Sequence, residues 1–273
     1  MNMLKEIIKQ KHEEIRQDKK NFPYKFLLQL IEEGLSPTRG FFRKLNSSST
    51  ISVVTELKFA SPSKGIISDK KKNLEKIIQI YTANGASAIS VLTEKKFFNG
   101  DPGYIRRAKE VTNLPILRKD FILDEYQIFQ SRCLGADAIL LIARLLDEPT
   151  LIRFQKIASS LGIDCLVEVH NKEELIKATT AGSKIIGINN RNLTDFSIDL
   201  SVTTRLSYLV PQDCLVVSES GIKCHEDIRR LSLCGIDAIL VGEVLMTARN
   251  PGEKLQKLTG VEKKKREKQI YVG

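Results

Sequence analysis

Long apolar stretches, paired cysteines and clustered histidines are all missing from this sequence. No segment approaches the roughly 18 consecutive apolar residues that a membrane-spanning helix needs. The first twenty residues carry too many charges to resemble a secretory signal peptide, whose central part is apolar. We therefore expect a soluble, cytoplasmic chain with no membrane partner.

The few cysteines and histidines are scattered along the chain. The five cysteines stand at positions 133, 165, 214, 224 and 234, and no two of them form a CxxC pair. A disulfide framework is not expected from an odd number of cysteines in a chain of 273 residues. The three histidines, at positions 12, 170 and 225, have no metal-ligand spacing to one another or to the cysteines. The sequence therefore predicts free thiols and no metal site.

Positive charge, in contrast, is abundant. The formal net charge of +10 indicates an anionic partner or a basic surface. Much of it lies in the first twenty residues and in the lysine-rich segment 262–268, and no motif of a nucleic-acid-binding domain accompanies it. We predict a solvated, frayed C-terminal tail and no nucleic-acid partner. The alternative is a basic arm that binds DNA or RNA.

After residue 50 the sequence becomes rhythmic. Eight short, β-branched apolar runs begin at residues 51, 88, 115, 138, 164, 185, 214 and 237. They are almost continuously hydrophobic, as parallel strands covered on both faces are, and longer amphipathic stretches separate them. Eight strand-helix units predict an α/β protein with a (β/α)8 TIM barrel. A doubly wound open sheet is the competing architecture, and it would normally carry a glycine-rich fingerprint after its first strand.

The barrel accounts for most of the chain but not for its ends. We expect an N-terminal helical extension over residues 1–50, the barrel over 51–260 and the basic tail over 261–273. Within the extension, residues 3–18 and about 25–33 have helical patterns, and the segment Asn21-Phe-Pro-Tyr24 separates them. The sequence does not indicate whether this extension covers the bottom or the top of the barrel.

Polar side chains stand where the predicted strands end. The stretch VTELKFASPSKG begins as a buried strand, yet it places Glu56 and Lys58 two residues apart, on the same face of the strand. Comparable groups end four other strands: Lys119, Glu168, Asn189 with Arg191, and Glu219. A barrel collects these ends at one mouth, and burying so many charges for stability alone is unfavourable. The convergence favours catalysis, although ion pairs that serve only the packing of the strands are the alternative.

Two glycine-containing turns follow the last two strands. Ser220 and Gly221 follow the seventh strand, and Gly242 and Glu243 follow the eighth. In TIM barrels the loops at these two positions often bind phosphate through backbone N–H groups. We therefore predict a phosphate site, with the carboxylate of Glu243 turned away from it. Ordinary turns into the following helices are the alternative.

Several of these segments, taken together and in order, resemble one enzyme family. They are Glu56-Leu-Lys58, Ser61-Pro-Ser63, Phe97-Phe-Asn-Gly100, Leu117-Arg-Lys-Asp-Phe121, Glu168, Gly187-Ile-Asn-Asn-Arg191 and Glu219-Ser-Gly221. From about residue 3 to residue 258 the chain resembles the indole-3-glycerol phosphate synthase family of tryptophan biosynthesis. The resemblance implies a carboxy-lyase that converts 1-(2-carboxyphenylamino)-1-deoxyribulose 5-phosphate into indole-3-glycerol phosphate, CO2 and water. It implies no metal or organic cofactor.

The resemblance also implies a role for each residue. Lys119 resembles the general acid and Glu168 its acid/base partner, while Lys58 would hold the substrate carboxylate and could act as acid in a later step. Glu56 would orient the two lysines, and Asn189 and Glu219 look like polar positioning groups. The remaining contacts implied are Ser61, Arg191, Ser220, Gly221, Gly242 and Glu243 toward the phosphate and sugar, and Phe98, Phe121 and Leu140 around the aromatic ring. Glu243 departs from relatives that carry Ser there, which puts a side-chain contact with phosphate in doubt.

Other functions remain compatible with the residues. Lys119 could instead form a Schiff base, as in an aldolase, if its pKa were depressed by desolvation or a neighbouring cation. Arg118 is adjacent in sequence, but strand alternation sends it to the opposite face. A non-catalytic barrel that only binds sugar phosphates is a third hypothesis. We expect a monomer or a weak homodimer acting on a small molecule.

Overall fold

The structure is a computed structural model and describes residues 3–62, 64–68, 73–193 and 195–266. Ser63 of the quoted Ser-Pro-Ser motif and the last seven residues of the basic tail lie outside these ranges. No helix in these ranges combines the length and the apolar composition needed to cross a membrane.

Eight parallel strands form a closed barrel, which confirms the predicted (β/α)8 architecture. The barrel strands are β1 (Ser52–Leu57), β4 (Ala88–Leu92), β5 (Ile116–Lys119), β6 (Ala138–Ile142), β7 (Asp164–Val169), β8 (Ile185–Asn189), β9 (Leu215–Glu219) and β10 (Ala238–Val241). Each pairs with its neighbours in chain order, and β1 closes the ring by pairing Val54 with both Ala88 of β4 and Leu240 of β10. A two-stranded antiparallel sheet, β2 (Ala60–Ser61) and β3 (Gly65–Ile66), follows β1.

Helices surround the barrel and precede it. They are α1 (Met3–Asn21), α2 (Tyr24–Glu32), α3 (Phe41–Asn46), α4 (Leu74–Ala83), α5 (Gly103–Val111), α6 (Glu125–Leu134), α7 (Glu148–Ser160), α8 (Lys172–Thr180), α9 (Ser201–Ser207), α10 (His225–Ser232), α11 (Glu243–Met246) and α12 (Pro251–Gln256), with a 3₁₀ turn over Ala143–Leu145. Local sequence sets their ends. Asp124 caps α6 in a capping box with Gln127, and Gly135 ends that helix in the left-handed conformation, with φ of 91°.

Apolar side chains fill both faces of the barrel wall. Inward-facing residues such as Leu117, Leu140 and Leu166 form the interior layer, and the opposite faces of the same strands pack under the outer helices. The two side chains Phe41 and Leu45 of α3 join the interior layer from below and are fully buried. Because the wall is filled with aliphatic side chains, the polar groups at its C-terminal end lie on a rigid, water-excluding base.

The N-terminal extension contacts both ends of the barrel. Helix α3 closes the end where the strands begin, as Phe41 and Leu45 show. Helix α1 instead reaches the end where the strands finish, because the Nζ atom of Lys11 lies 2.8 Å from Oδ1 of Asp120, directly after β5. The two helices that the sequence predicts in this extension are present as α1 and α2.

The start of the C-terminal tail is docked on the barrel, so the expectation of a frayed tail is wrong for residues 261–266. Glu262 forms an antiparallel bridge with Thr50, and the Nζ atom of Lys263 donates to the carbonyl oxygen of Leu45 at 2.7 Å. The guanidinium of Arg266 is 5% exposed and lies 3.2 Å from Oδ2 of Asp237. Backbone pairing and a buried cation therefore fix this segment under the barrel.

Candidate active site

All fifteen side chains and glycines singled out in the sequence line two adjoining cavities at the C-terminal end of the barrel. The first cavity, of about 120 Å³, is lined by Glu56, Lys58, Ser61, Phe98, Lys119, Phe121, Leu140, Glu168, Asn189, Arg191, Glu219 and Ser220 among others. The second, of about 260 Å³, is lined by Gly221, Gly242 and Glu243 and shares Glu56, Lys58, Arg191 and Ser220 with the first. The convergence expected from the strand ends is therefore present.

Glu56 and Lys58 face the same side of the barrel mouth, as strand alternation predicts. The Nζ atom of Lys58 lies 3.7 Å from Oε1 of Glu56 and 5.9 Å from the ring centre of Phe98. Glycine at position 242 makes room for this pair, because a Cβ there would lie 2.9 Å from Oε1 of Glu56. A side chain at this position would displace the carboxylate.

Lys119 stands at the centre of the mouth and binds two carboxylates. Its Nζ atom donates to Oε2 of Glu168 at 2.7 Å and to Oε2 of Glu219 at 2.8 Å. Burial opposes the charge on Lys119, but Glu168, Glu219 and Glu56 outweigh burial and raise its pKa above the ordinary value. Lys119 is therefore a fully protonated ammonium at neutral pH.

The two carboxyl groups that share Lys119 differ in their affinity for protons. Burial would raise the pKa of Glu168, but Lys119, His170 and Asn189 outweigh it and lower that pKa to about 2. Burial raises the pKa of Glu219 to about 7, with Glu168 adding to the rise and Lys119 opposing it. One ammonium cannot fully compensate two buried carboxylates, so one stays ionised and the other is near half-protonation at neutral pH.

Small residues allow this cluster to form. Oε1 of Glu219 lies directly over Gly187 of β8, and a Cβ on that glycine would overlap it. Asn189, two residues further along the same strand, hydrogen-bonds the carboxylate of Glu168, and its Oδ1 accepts the backbone N–H of Arg191 at 3.0 Å. The segment Gly187-Ile-Asn-Asn-Arg191 thus leaves room for the carboxylate of Glu219 and orients the carboxylate of Glu168.

An apolar wall lies beside the charged cluster. The rings of Phe98 and Phe121 are 6.2 Å apart, and Leu140 lines the same cavity. The carboxylate of Glu94, a residue that sequence reasoning missed, fixes the loop that carries Phe98. Its Oε2 accepts the backbone N–H groups of Phe97 at 2.7 Å and of Phe98 at 2.9 Å. The available signal was its position, because Glu94 closely follows the end of β4, as the other polar groups follow their strands.

The second cavity has a backbone suited to an anion. Ser220 and Gly221 both have positive φ values, of 65° and 86°, and a Cβ on Gly221 would overlap Ile198. Successive backbone N–H groups in such a turn can point at one anion. The carboxylate of Glu243 is paired with Lys64 at 2.6 Å and lies 3.8 Å from Arg191. These cations offset the negative charge expected to repel a phosphate.

The charged neighbours of Lys119 in sequence pair with each other. Arg118 lies on the opposite face of β5, as strand alternation predicts, and its Nη2 atom lies 3.0 Å from Oδ2 of Asp120. Asp120 lines the first cavity, but its carboxylate is already paired with Lys11 of α1 and with Arg118. Of the Arg-Lys-Asp triplet, only Lys119 supplies a charged side chain to the cluster.

Sequence reasoning also missed His170, which it treated only as an isolated histidine. Its side chain is 6% exposed, and its Nε2 atom lies 3.4 Å from Oε1 of Glu168. The available signal was its spacing, because His170 follows Glu168 by two residues and strand alternation keeps such residues on one side. In the part of the chain that the structure describes, no group of three or more His, Cys, Asp or Glu residues is arranged to hold a metal ion.

Comparison with known sequences gives one consistent match. A family model described as indole-3-glycerol phosphate synthase matches residues 4–258. An indole-3-glycerol phosphate synthase of Alkaliphilus metalliredigens is 48% identical over 256 residues, which cover 94% of this chain and 97% of that protein. Another, from Acetivibrio thermocellus, is 45% identical over 260 residues, which cover 95% of this chain and all of that protein.

Solved structures with similar folds are more distant in sequence. A 3-hexulose-6-phosphate synthase from Salmonella typhimurium matches 76% of this chain and 96% of its own, with a TM-score of 0.60 and 16% identity. A thiamine phosphate pyrophosphorylase from Pyrococcus furiosus matches 76% of this chain and 93% of its own, with a TM-score of 0.56 and 16% identity. At this identity the similarity concerns the fold alone.

Proposed function

Because the chain belongs to the indole-3-glycerol phosphate synthase family, we propose that the cluster around Lys119 performs the ring closure that defines the family. The chain is a carboxy-lyase that converts 1-(2-carboxyphenylamino)-1-deoxyribulose 5-phosphate into indole-3-glycerol phosphate. A ring carbon attacks the ketose carbonyl, CO2 leaves, and loss of water completes the indole.

Lys119 is the general acid that protonates the ketose oxygen. The observation that carries this role is the ammonium held 2.7 Å from Glu168 and 2.8 Å from Glu219 inside the cavity. The carboxylates keep the ammonium protonated until a stronger base, the developing alkoxide of the substrate, comes within reach. A lysine held by hydrogen bonds on two sides also points at one place in the cavity.

Glu168 exchanges protons during the loss of water. Its lowered pKa makes it a carboxylate in the resting site, so it is ready to accept a proton. Asn189 fixes its orientation through a hydrogen bond. Glu219, whose pKa is raised to about 7, positions Lys119 from the other side and carries less negative charge.

Lys58 and the apolar wall bind the anthranilate half of the substrate. The ammonium of Lys58 supplies the charge that a carboxylate needs, and Glu56, 3.7 Å away, orients it. The aromatic ring fits against Phe98, Phe121 and Leu140, which line the same cavity. Stacking on this wall would bring the ring carbon toward the ketose carbonyl and Lys119.

The phosphate binds in the second cavity. Ser220 and Gly221 supply backbone N–H groups in a turn with positive φ values, and Gly242 leaves the opposite wall open. Arg191 lines this cavity, and Lys64 pairs with Glu243, which lines it as well. Ser61 lines the first cavity and completes the sugar-phosphate contacts.

The electrostatics oppose a Schiff-base mechanism. A nucleophilic lysine must lose its proton, which requires a depressed pKa. Three carboxyl groups instead raise the pKa of Lys119, and Arg118, the cation that could oppose them, lies outside the barrel. The cluster therefore suits an acid rather than an amine nucleophile.

The deciding experiment follows indole fluorescence after the purified protein is mixed with the carboxyphenylamino-deoxyribulose phosphate. We expect turnover by the wild type and a fall in kcat of at least about a hundredfold in Lys119→Ala and in Glu168→Gln, since each removes a proton-transfer group. Substrate affinity should change much less. Lys95→Ala, which alters an exposed lysine nearby, is the matched control and should keep wild-type kinetics.

Two results would contradict this assignment. Equal losses in kcat and in affinity would mean that Lys119 and Glu168 only position the substrate. A wild type that binds the compound without turning it over would mean that the barrel mouth is a sugar-phosphate receptor.

We also propose that the chain works as a monomer or weak homodimer in the cytoplasm, without a nucleic-acid partner. Every side chain of the proposed site comes from one chain, so catalysis needs no second subunit. Sedimentation at the concentrations of the fluorescence assay checks the assembly state. A stable oligomer there would contradict the proposal.

A further inference from the structure

His170 is a buried imidazole directly behind the proposed acid/base group. It follows β7 immediately, and its Nε2 atom lies 3.4 Å from Oε1 of Glu168. Nε2 has no hydrogen-bond partner among the residues that the structure describes. The other oxygen of Glu168 is occupied by Lys119, so Oε1 is the one turned toward the imidazole.

The opposite side of the imidazole fixes its tautomer. Nδ1 lies 3.0 Å from Oε2 of Glu174 on α8, and the same oxygen accepts the backbone N–H of His170 at 2.8 Å. Burial would raise the pKa of Glu174, but hydrogen bonds from His170 and Arg144 outweigh it and lower that pKa. An ionised Glu174 can only accept, so Nδ1 carries a proton.

This leaves one proton to be placed between His170 and Glu168. With Nδ1 protonated, a neutral imidazole has its lone pair on Nε2, which lies 3.4 Å from the carboxylate oxygen. Two acceptors facing each other in a buried site repel, and a proton between them removes that repulsion. The charged groups around this proton are Glu168 on β7, Lys119 on β5, Glu174 on α8 and Arg144 in the 3₁₀ turn.

The reaction has a use for such a proton. The ketose oxygen leaves as water, so it must receive two protons. The indole becomes aromatic only after a C–H proton departs. Lys119 supplies the first proton, and the acid/base group must supply the second and take the C–H proton back. Per turnover one proton is consumed overall, which matches the replacement of a carboxylate by CO2, and Lys119 recovers it from solvent.

We propose that His170 is a positioning residue that keeps a proton in reserve for Glu168, an inference that rests on the proposed function. The imidazolium passes the Nε2 proton to Oε1 of Glu168 as Glu168 protonates the leaving hydroxyl. The C–H proton then returns through Glu168 to Nε2, and the pair ends the cycle as it began. Glu174 holds the ring in place and stabilises its positive charge, and Arg144 in turn orients the carboxylate of Glu174.

A cavity beside His170 makes this role testable by chemical rescue. It has a volume of about 280 Å³ and is lined by Arg144, His170, Asn171 and Asn189 among others. Exposed residues, Asn192 and Asp199, line its outer part, so it opens to solvent. Truncating His170 would extend this cavity to Glu168, and added imidazole would fit where the side chain was.

The test compares the wild type, His170→Ala and His170→Gln by indole fluorescence across pH 5.5 to 8.5. We expect kcat to fall roughly tenfold to a hundredfold in both variants, with KM almost unchanged, because only proton supply is lost. The pH profile of kcat should change shape in both. Added imidazole should restore much of the activity of His170→Ala and none of that of His170→Gln, whose side chain fills the space.

The glutamine variant separates proton supply from simple hydrogen bonding. Gln can donate an N–H to Glu168 but cannot release a proton, so full activity in His170→Gln would overturn the proposal even if the alanine variant failed to fold. Wild-type kcat and pH profile in His170→Ala would overturn it as well. A wild type without turnover would instead overturn the proposed function, and it would do so before any variant is compared.

Discussion

At the residue scale, the site depends on one ammonium shared by two carboxyl groups. Lys119 hydrogen-bonds Glu168 and Glu219 at similar distances, yet their pKa values move in opposite directions, to about 2 and about 7. His170 and Asn189 also lower the pKa of Glu168, whereas Oε1 of Glu219 has no hydrogen-bond partner in the described ranges. These additional neighbours, rather than the lysine, therefore decide which carboxyl group stays ionised.

The raised pKa of Glu219 predicts how the stability of the protein depends on pH. The pKa of Glu219 rises from 4.5 to about 7 on folding, so between these values the folded chain keeps a proton that the unfolded chain releases. The free energy of unfolding contributed by Glu219 is therefore highest below pH 4.5 and is lost as pH rises through 7. We expect the stability of the wild type relative to Glu219→Gln to fall by up to about 3 kcal/mol between pH 5 and pH 8.

Urea denaturation of both proteins at several pH values measures this difference. Glutamine has nearly the same shape and cannot titrate, so groups present in both proteins largely cancel. Parallel stability curves for the two proteins would show that Glu219 has an ordinary pKa in the folded chain.

The residues of the site were predictable to the extent that strand alternation determines them. A period of two predicts that Glu56 and Lys58 lie on the same face of their strand and that Lys119 and Arg118 lie on opposite faces. That period fixes which side chains enter the barrel. The hydrogen bond from Lys119 to Glu219 was not predictable, since it depends on how far apart β5 and β9 lie across the barrel. The positions of His170 and Glu94 depend in the same way on contacts with other loops and helices.

At the scale of elements, a helix outside the barrel is coupled to the strand that carries the proposed acid. The side chain of Lys11 in α1 is 4% exposed. Its Nζ atom lies 2.8 Å from Oδ1 of Asp120, the residue that follows Lys119 in sequence. Asp120 also accepts a hydrogen bond from Thr93 at 2.5 Å and pairs with Arg118. The end of β5 is therefore fixed from outside as well as within the sheet.

Removing this link should affect both stability and catalysis. Lys11→Met would leave Asp120 buried with one cation fewer, and breaking a buried ion pair typically lowers the free energy of unfolding by about 3 kcal/mol. We expect a loss of that order in urea denaturation, together with a lower kcat, because the end of β5 positions Lys119.

A second lysine on the same helix provides the control. Lys19 pairs with Asp124 at 2.7 Å, but its side chain is 44% exposed. Lys19→Met should therefore lower stability by less than about 1 kcal/mol and leave kcat unchanged. Equal effects of the two substitutions would show that burial of the Lys11 pair is unimportant.

The long, periodic elements were the ones that the sequence predicted well. All eight barrel strands and the helices α1 and α2 are where the apolar patterns indicate. The six-residue helix α3 and the β2–β3 pair were missed, because elements this short show no periodicity. Helix α3 forms because Phe41 and Leu45 fill the open end of the barrel, which is a tertiary effect.

At the scale of the whole molecule, segments from both ends of the chain meet beneath the barrel. Thr50 and Glu262 form a backbone bridge, and the carbonyl oxygen of Leu45 accepts from Lys263. Arg266 donates to the carbonyl oxygens of Gly235 and Cys214 and pairs with Asp237. The C-terminal segment is therefore part of the folded structure, although the family match ends at residue 258.

The docked segment should stabilise the fold without influencing turnover. Arg266→Ala removes hydrogen bonds to the carbonyl oxygens of the buried residues Gly235 and Cys214 and an ion pair with Asp237, so we expect the free energy of unfolding to fall by about 2 to 4 kcal/mol. Because Arg266 lies at the opposite end of the barrel from Lys119, kcat and KM should not change. Urea denaturation and the fluorescence assay measure the two effects.

Lys265→Ala is the matched control, since this neighbouring side chain is exposed. It should alter stability by no more than about 0.5 kcal/mol. A similar small effect of Arg266→Ala would mean that the docked tail contributes nothing to stability. The sequence could not predict this docking, because lysine-rich composition describes a solvated tail and a tail with one buried arginine equally well.

The pairing of β1 with β10 has a consequence for how the protein is made. A ribosome delivers the chain from its N-terminus, so β1 emerges long before the strand that closes the ring. Until then the growing sheet has an uncovered edge at β1, and Thr50 lacks the partner that Glu262 supplies. The nascent barrel is thus an open sheet, exposed to chaperones and to edge-to-edge association, until translation has passed β10.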